Sequence, residues 1–425
     1  MKLTKCLIAA SLLSSLCSTA ILAADYSPDN YLTGDWLGWR TKLHQAGVDV
    51  NLGYTFETGG NLSGGDNHAY SYADQTSLGF DFDLNRLIGL NGGSFHFALA
   101  NRGGQDQDIN DKAGMNDLMQ SLEIYGRGRV TRITKFYYEQ QLISNNLDIK
   151  LGRMSFGDEF GTTECEFTYL GFCGSQPGNF NSSIYNWPIS QWAGDVKYNF
   201  LPQWYAKLGL YQQNPGWLAN GQGWDFGNPK GSDGVTIPVE FGWMPHLFGL
   251  PGTYKLGYWY DTAGGDDVYL NSDGLALSTN GGTPKQHSHK AGYYFSANQQ
   301  VLSFGNNSQR GMNVFLYSTV NDHDIATVDR SVAAGVTLKG PFAIRPKDKW
   351  GIGIDYLHVS DRYADNQRAA SNPVPSDEVV FASYYKFQLT NYFALRPEIQ
   401  YLNHPGGTSD NANAWVATLK GNIDF

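Results

Sequence analysis

Val48-Asp49-Val50-Asn51-Leu52-Gly53-Tyr54-Thr55-Phe56-Glu57 alternates without a break. Val48, Val50, Leu52, Tyr54 and Phe56 fall on one face, and Asp49, Asn51, Gly53, Thr55 and Glu57 on the other. Successive side chains of a strand point to opposite faces, so this is a strand with one apolar and one polar side. The pattern returns. Leu78, Phe80, Phe82 and Leu84 oppose Ser77, Gly79, Asp81 and Asp83, and Phe95, Phe97 and Leu99 oppose His96, Ala98, Ala100 and Arg102. Near the far end Val379, Phe381, Tyr385, Phe387 and Leu389 alternate with Ala382, Tyr384, Lys386 and Gln388, and the segment 414–425 finishes on Phe425. About sixteen such segments are predicted, least regular after residue 190.

The connections between them alternate too. Ser144-Asn145-Asn146, Leu201-Pro202-Gln203 and Thr390-Asn391 are tight turns, whereas 59–73, 103–131, 157–192, 214–233, 263–289 and 361–376 are long and rich in Gly, Asn and Asp. Short turns at one end and long loops at the other are the build of an outer-membrane barrel. In hydrocarbon every backbone polar group needs a protein partner, so the sheet must close. The expected fold is an all-β, transmembrane antiparallel β-barrel of about sixteen strands with a polar lumen.

Composition agrees. Aromatic residues make up 14% and charged residues only 16%, with 26 Tyr; a globular average carries about 25% charged residues. Beyond residue 24 no run of about 20 apolar residues offers a spanning helix. The net charge of −10 argues against nucleic acid as a partner.

Upstream of the first strand, Thr33-Gly34-Asp35 precedes Trp36, Leu37, Arg40, Leu43 and His44, and Gly47 follows. That spacing predicts a short helix with a terminal glycine. Lys2 and Lys5, the apolar stretch Cys6–Leu22 and the small pair Ala23-Ala24 read as a secretory signal peptide cut near Ala24. The predicted organisation is signal peptide 1–24, helical segment 25–47 and barrel 48–425, the last two forming one domain. Cys6 and Cys17 would leave with the signal. Cys165 and Cys173 remain, eight positions apart in an exported chain, and read as a disulfide; no His lies near enough in sequence to complete a two-Cys metal site.

The string Leu32-Thr33-Gly34-Asp35-Trp36-Leu37-Gly38-Trp39-Arg40, followed by Gly47-Val48-Asp49-Val50, resembles the opening of the OprB family of carbohydrate-selective porins; Leu37 and Trp39 depart from it. Leu151-Gly152-Arg153 with Gly157-Asp158-Glu159-Phe160, the stretch 250–257 with Trp259-Tyr260, Tyr385-Lys386-Phe387-Gln388-Leu389-Thr390 and Pro397-Glu398-Ile399-Gln400-Tyr401 extend the resemblance over nearly the whole mature chain. The resemblance implies a sixteen-stranded barrel acting as a monomer. It implies uptake of glucose and related sugars through a narrow lumen whose constriction combines charged residues with a Trp.

Parity names the residues that could line such a path. Arg102 and His96 face inward on one strand, and Glu139 faces inward with Tyr137 and Gln141 on another. Charged groups offer strong hydrogen bonds to hydroxyls, and selectivity follows from pore width and the donors and acceptors lining it. The long segment 157–192 is expected to fold into the lumen, carrying Asp158, Glu159, Glu164, Glu166, Trp187 and Trp192, with either Trp able to stack on a sugar ring. Arg153 shares parity with lipid-facing Leu147, Ile149 and Leu151. Either it sits above the hydrocarbon or Gly152 allows a bulge that turns it inward.

Other constellations carry little. His287-Ser288-His289 lacks a partner at metal-ligand spacing, and Asp266-Asp267 and Asn321-Asp322-His323-Asp324 read as solvated loops. No cofactor is expected, and no Ser and His arrangement singles out a barrel hydrolase. The expected partners are small sugars, outer-membrane lipid and lipopolysaccharide. A general or ion-preferring porin and a surface adhesin are the alternatives.

Overall fold

The computed structural model describes residues 26–305 and 307–425. The signal-peptide segment, with Cys6 and Cys17, lies outside them. Among the described residues sixteen long strands follow in antiparallel order. They are β1 Val48–Ser63, β2 Tyr70–Asp83, β3 Gly93–Gly104, β4 Thr131–Leu142, β5 Leu147–Met154, β6 Gln191–Leu201, β7 Trp204–Gln213 and β8 Gly234–Trp243. The second half comprises β9 Leu250–Asp261, β10 Lys290–Phe304, β11 Asn307–Asn321, β12 Val328–Lys339, β13 Lys349–Val359, β14 Asp377–Gln388, β15 Phe393–Asn403 and β16 Ala414–Asp424. Each pairs with the next, and β16 returns to β1 in the register Gly53↔Asp424 to Gly60↔Ala417, so the sheet closes.

Burial runs opposite to that of a water-soluble protein. Apolar side chains at alternate positions face out, among them Leu208 and Leu210 on β7, Ile352 and Ile354 on β13 and Phe381 on β14. Phe95 packs edge-on against Phe136 at 5.2 Å on the same outer surface. The charged and amide groups lie inside, including Glu57, Lys150, Lys207, Glu240, Asp355, Glu378, Glu398 and Lys420. This is the distribution a lipid solvent requires, because the outer face gains nothing from polar groups and the lumen must hold them. No helix among the described residues is long and apolar enough to cross a membrane.

Several connections differ from the expectation: 263–289 holds a hairpin, Gly265–Asn271 with Pro284–His287, and 361–376 opens on a helix, Asp361–Ala369. The stretch 59–73 is mostly strand, because β1 and β2 stay paired up to Gly60↔Tyr70. Gly59 and Gly60 carry no side chains to alternate there, which hides the period-two signal. The turn after β2 holds a short helix, Leu84–Ile88, capped by the Asp83 carboxylate.

The N-terminal helix α1, Trp39–Ala46, ends on Gly47 at φ +95°, whose N–H returns to His44 and Leu43 carbonyls. A side chain at that φ would be strained, which is why glycine serves there. From α1 the buried Arg40 donates to the Val50 carbonyl at 3.0 Å and to the Phe425 carbonyl at 2.6 Å. Its guanidinium also lies 3.5 Å from the Tyr31 ring centre. The helix is thereby fixed to the seam where β1 meets β16.

Candidate functional site

Two loops enter the barrel, loop A (105–130) and loop B (155–190). Loop B starts where Ser155 caps a helical turn, Phe156–Glu159, by accepting from the Asp158 N–H. Its first anchor is electrostatic. Glu159 is buried between Lys150, at 2.9 Å, and Lys207. Burial alone would push its carboxyl up, but the two ammonium groups overcome this and hold it well below the usual carboxylate range. Glu166 is held well below that range in the same way, burial being outweighed by Lys349 and Arg396. Burial pushes Asp158 up.

The second anchor is a set of wall carboxylates that accept backbone N–H groups. Glu240 accepts from Gly161 at 3.1 Å and is itself held by the Tyr205 and Tyr294 hydroxyls at 2.7 and 2.8 Å. Those tyrosines lie flat over Gly242 and Gly257, where any Cβ would intrude on the rings. Glu398 accepts from Thr168 at 2.8 Å and from Tyr169 at 3.3 Å. An ionised acceptor makes these among the stronger hydrogen bonds available. Loop B also carries the Cys165–Cys173 disulfide. Beside it Phe167 and Phe172 pack 4.4 Å apart onto Phe315 and Tyr384 of the wall. Gly353 makes room for them, since a Cβ there would lie 2.8 Å from the Phe172 ring.

Loop A is anchored by the same device. Glu378 accepts from the Leu118 N–H at 2.8 Å, and Glu57 accepts from the Ile124 N–H at 3.1 Å. Glu123 pairs with Lys420, which also reaches Glu57 at 3.0 Å. The Glu123 carboxylate lies within 4.8 Å of the disulfide sulfurs, so loops A and B meet there.

The structure brings some of the expected residues together. Arg102 Nε and Trp187 Nε1 both donate to the Gln75 side-chain oxygen, at 3.0 and 2.8 Å. Glu123 sits within electrostatic reach of Arg102. His96 and Glu139 form a separate group nearer the turn end. His96 Nδ1 meets Asp81 at 2.6 Å, its Nε2 lies 3.4 Å from Glu139, and its ring stacks on Tyr137 at 4.7 Å. Asp158 and Glu159 sit at the start of loop B, Asp158 half-buried and Glu159 buried between its lysines. Arg153 and Trp192 are opposite one another in the β5–β6 pairing. The pairing through Gly152 is unbroken, so no bulge turns Arg153 inward. It lies instead under the 214–233 loop, 4.2 Å from the Trp217 ring, donating to Ser190 Oγ at 3.0 Å. Trp192 donates to the Gly227 carbonyl of that loop at 3.0 Å.

Sequence reasoning missed Gln75, Glu123 and the wall acids. Parity places Gln75 inward with Gly79 and Asp81, so a signal existed for it; nothing local marks Glu123.

A family model described as carbohydrate-selective porin, OprB family, matches residues 67–425. Porin B of Pseudomonas aeruginosa is 38% identical over 98% of this chain and 96% of its own length. A putative porin, QuiX, of Acinetobacter baylyi is 34% identical over 96% of both. The high-pH structure of Pseudomonas putida OprB superposes with a TM-score of 0.91 at 36% identity, covering 95% of this chain and all of that one. The closed barrel, its inward loops and these relatives agree: the chain belongs to the OprB family, the carbohydrate-selective porins of the outer membrane.

Proposed function

We propose that glucose and related sugars cross passively through the space left beside β1–β4, with the constriction at Arg102, Glu123 and Trp187. The observation that carries this is the reach of loop B across the lumen, which sets the Trp187 side chain against the wall position next to Arg102. The half-buried Trp187 indole and Glu123 carboxylate, with the buried Arg102 behind them, would offer a flat apolar face and a charged hydrogen-bond partner to one sugar ring. His96 and Glu139 would line the path further toward the periplasm. Asp158 and Glu159 would set the position of loop B, while Arg153 and Trp192 would hold the 214–233 loop outside the path. The chain would work as a monomer, its outer face in contact with lipid and lipopolysaccharide.

Planar-bilayer currents measured with a panel of mono- and disaccharides test the reading. Glucose is expected to block the open channel, and Trp187→Ala to weaken that block about tenfold, the equivalent of about 1.4 kcal/mol. Block by glucose no stronger than by a non-sugar polyol of equal size would point to a general porin instead.

A further inference from the structure

We propose that Gln75 is a sugar-contacting and positioning residue of this constriction, an assignment that rests on the proposed path. Its side chain sits on the lumenal face of β2, directly opposite Arg102 in the β2–β3 register. Both groups that meet its oxygen, Arg102 Nε and Trp187 Nε1, are obligate donors. The amide orientation is therefore dictated by chemistry: the oxygen must point at them. The NH2 group then points away. Among the described residues it makes no hydrogen bond to protein, and the side chain is half-exposed to the lumen.

One small side chain thus does two things. Its oxygen fixes the guanidinium and the indole relative to each other, although one comes from β3 and the other from loop B, 112 positions beyond Gln75. Its nitrogen offers two N–H donors beside the indole face, where the hydroxyls or ring oxygen of a stacked sugar would lie. A neutral polyhydroxylated ring suits this arrangement. An amide donor binds hydroxyl oxygens without adding charge that would favour ions over sugars.

Two variants separate the two roles. Gln75→Glu keeps an acceptor for both Arg102 and Trp187 but removes the donors. Gln75→Leu removes the acceptor as well. Block is read as the ratio of current with and without glucose, so the charge added by Gln75→Glu cancels. Gln75→Glu is expected to weaken glucose block about tenfold with current noise at the parent level. Gln75→Leu is expected to weaken it further and to raise the noise, because the indole loses its anchor. If Gln75→Glu blocks as the parent does, the donor role is overturned. Should both variants block normally while Arg102→Ala does not, the whole assignment to Gln75 falls and the constriction stands. Normal block in all three would overturn the constriction itself, and the assignment with it.

Discussion

Glu159→Ala is expected to release the start of loop B from the barrel wall and to abolish steady sugar block. The carboxylate is buried between two lysines, Lys150 and Lys207, and it is the acid both of them bond; Asp195 lies 3.7 Å from Lys207, and Glu139 faces Lys150 across the β4–β5 pairing. Removing the shared anion leaves two buried ammonium groups short of one charge. Breaking a buried pair in this way costs about 3–5 kcal/mol. The closed sheet does not depend on it, so the loss should appear locally. Hydrogen exchange across 155–190 should accelerate while the strands keep their protection. Single-channel currents should become noisy. Unchanged exchange in that segment would show that the charged triad does not hold the loop.

The same triad sets an acid limit. Because Glu159 is held below its ordinary value of 4.5, its contribution is complete above that value and is lost as pH falls through the lower folded-state value. The Glu159 anchor at the start of loop B is therefore expected to hold from neutral pH down past the ordinary carboxylate range. Loosening should begin only in stronger acid.

The second large effect is expected from Glu378→Ala. One carboxylate here accepts from three loops: the Leu118 N–H of loop A at 2.8 Å, the Gly406 N–H of the 404–413 loop at 2.8 Å, and the Tyr169 hydroxyl of loop B at 3.3 Å. Alanine strands two backbone donors, each worth about 1–3 kcal/mol when left unpaired and buried. Exchange at Leu118 and Gly406 should accelerate together, although they are remote in sequence. Glu378→Gln retains an acceptor and should restore most of the protection. If only one of the two amides responds, Glu378 is not their common tie.

The barrel was legible because lipid on one side and water on the other impose a period of two on every strand. The match is close even late in the chain, where the predicted segment 414–425 is β16, Ala414–Asp424. The signal failed at Gly59–Gly60, which carry no side chains to alternate, although β1 and β2 stay paired up to Gly60↔Tyr70. The site was legible in part. Parity placed Arg102, Glu139 and His96 inward, and loop length pointed to the segment carrying Trp187. It could not pair them, because the pairing is made by loops whose anchors are remote in sequence. Leu118 meets Glu378 across 260 positions, and Thr168 meets Glu398 across 230. No window of sequence contains both partners. For the same reason the inward course of loop A leaves no local signal, and parity alone does not place Arg153, which the 214–233 loop covers.

The seam contact of Arg40 has a consequence for assembly. The carbonyls of Val50 and Phe425 that it binds become neighbours only when β16 zips onto β1. In an unclosed sheet the guanidinium could satisfy one of them but not both. α1 is thus a coincidence detector for closure: its full set of bonds exists only in a finished ring, and a gap at the seam would leave it half bound.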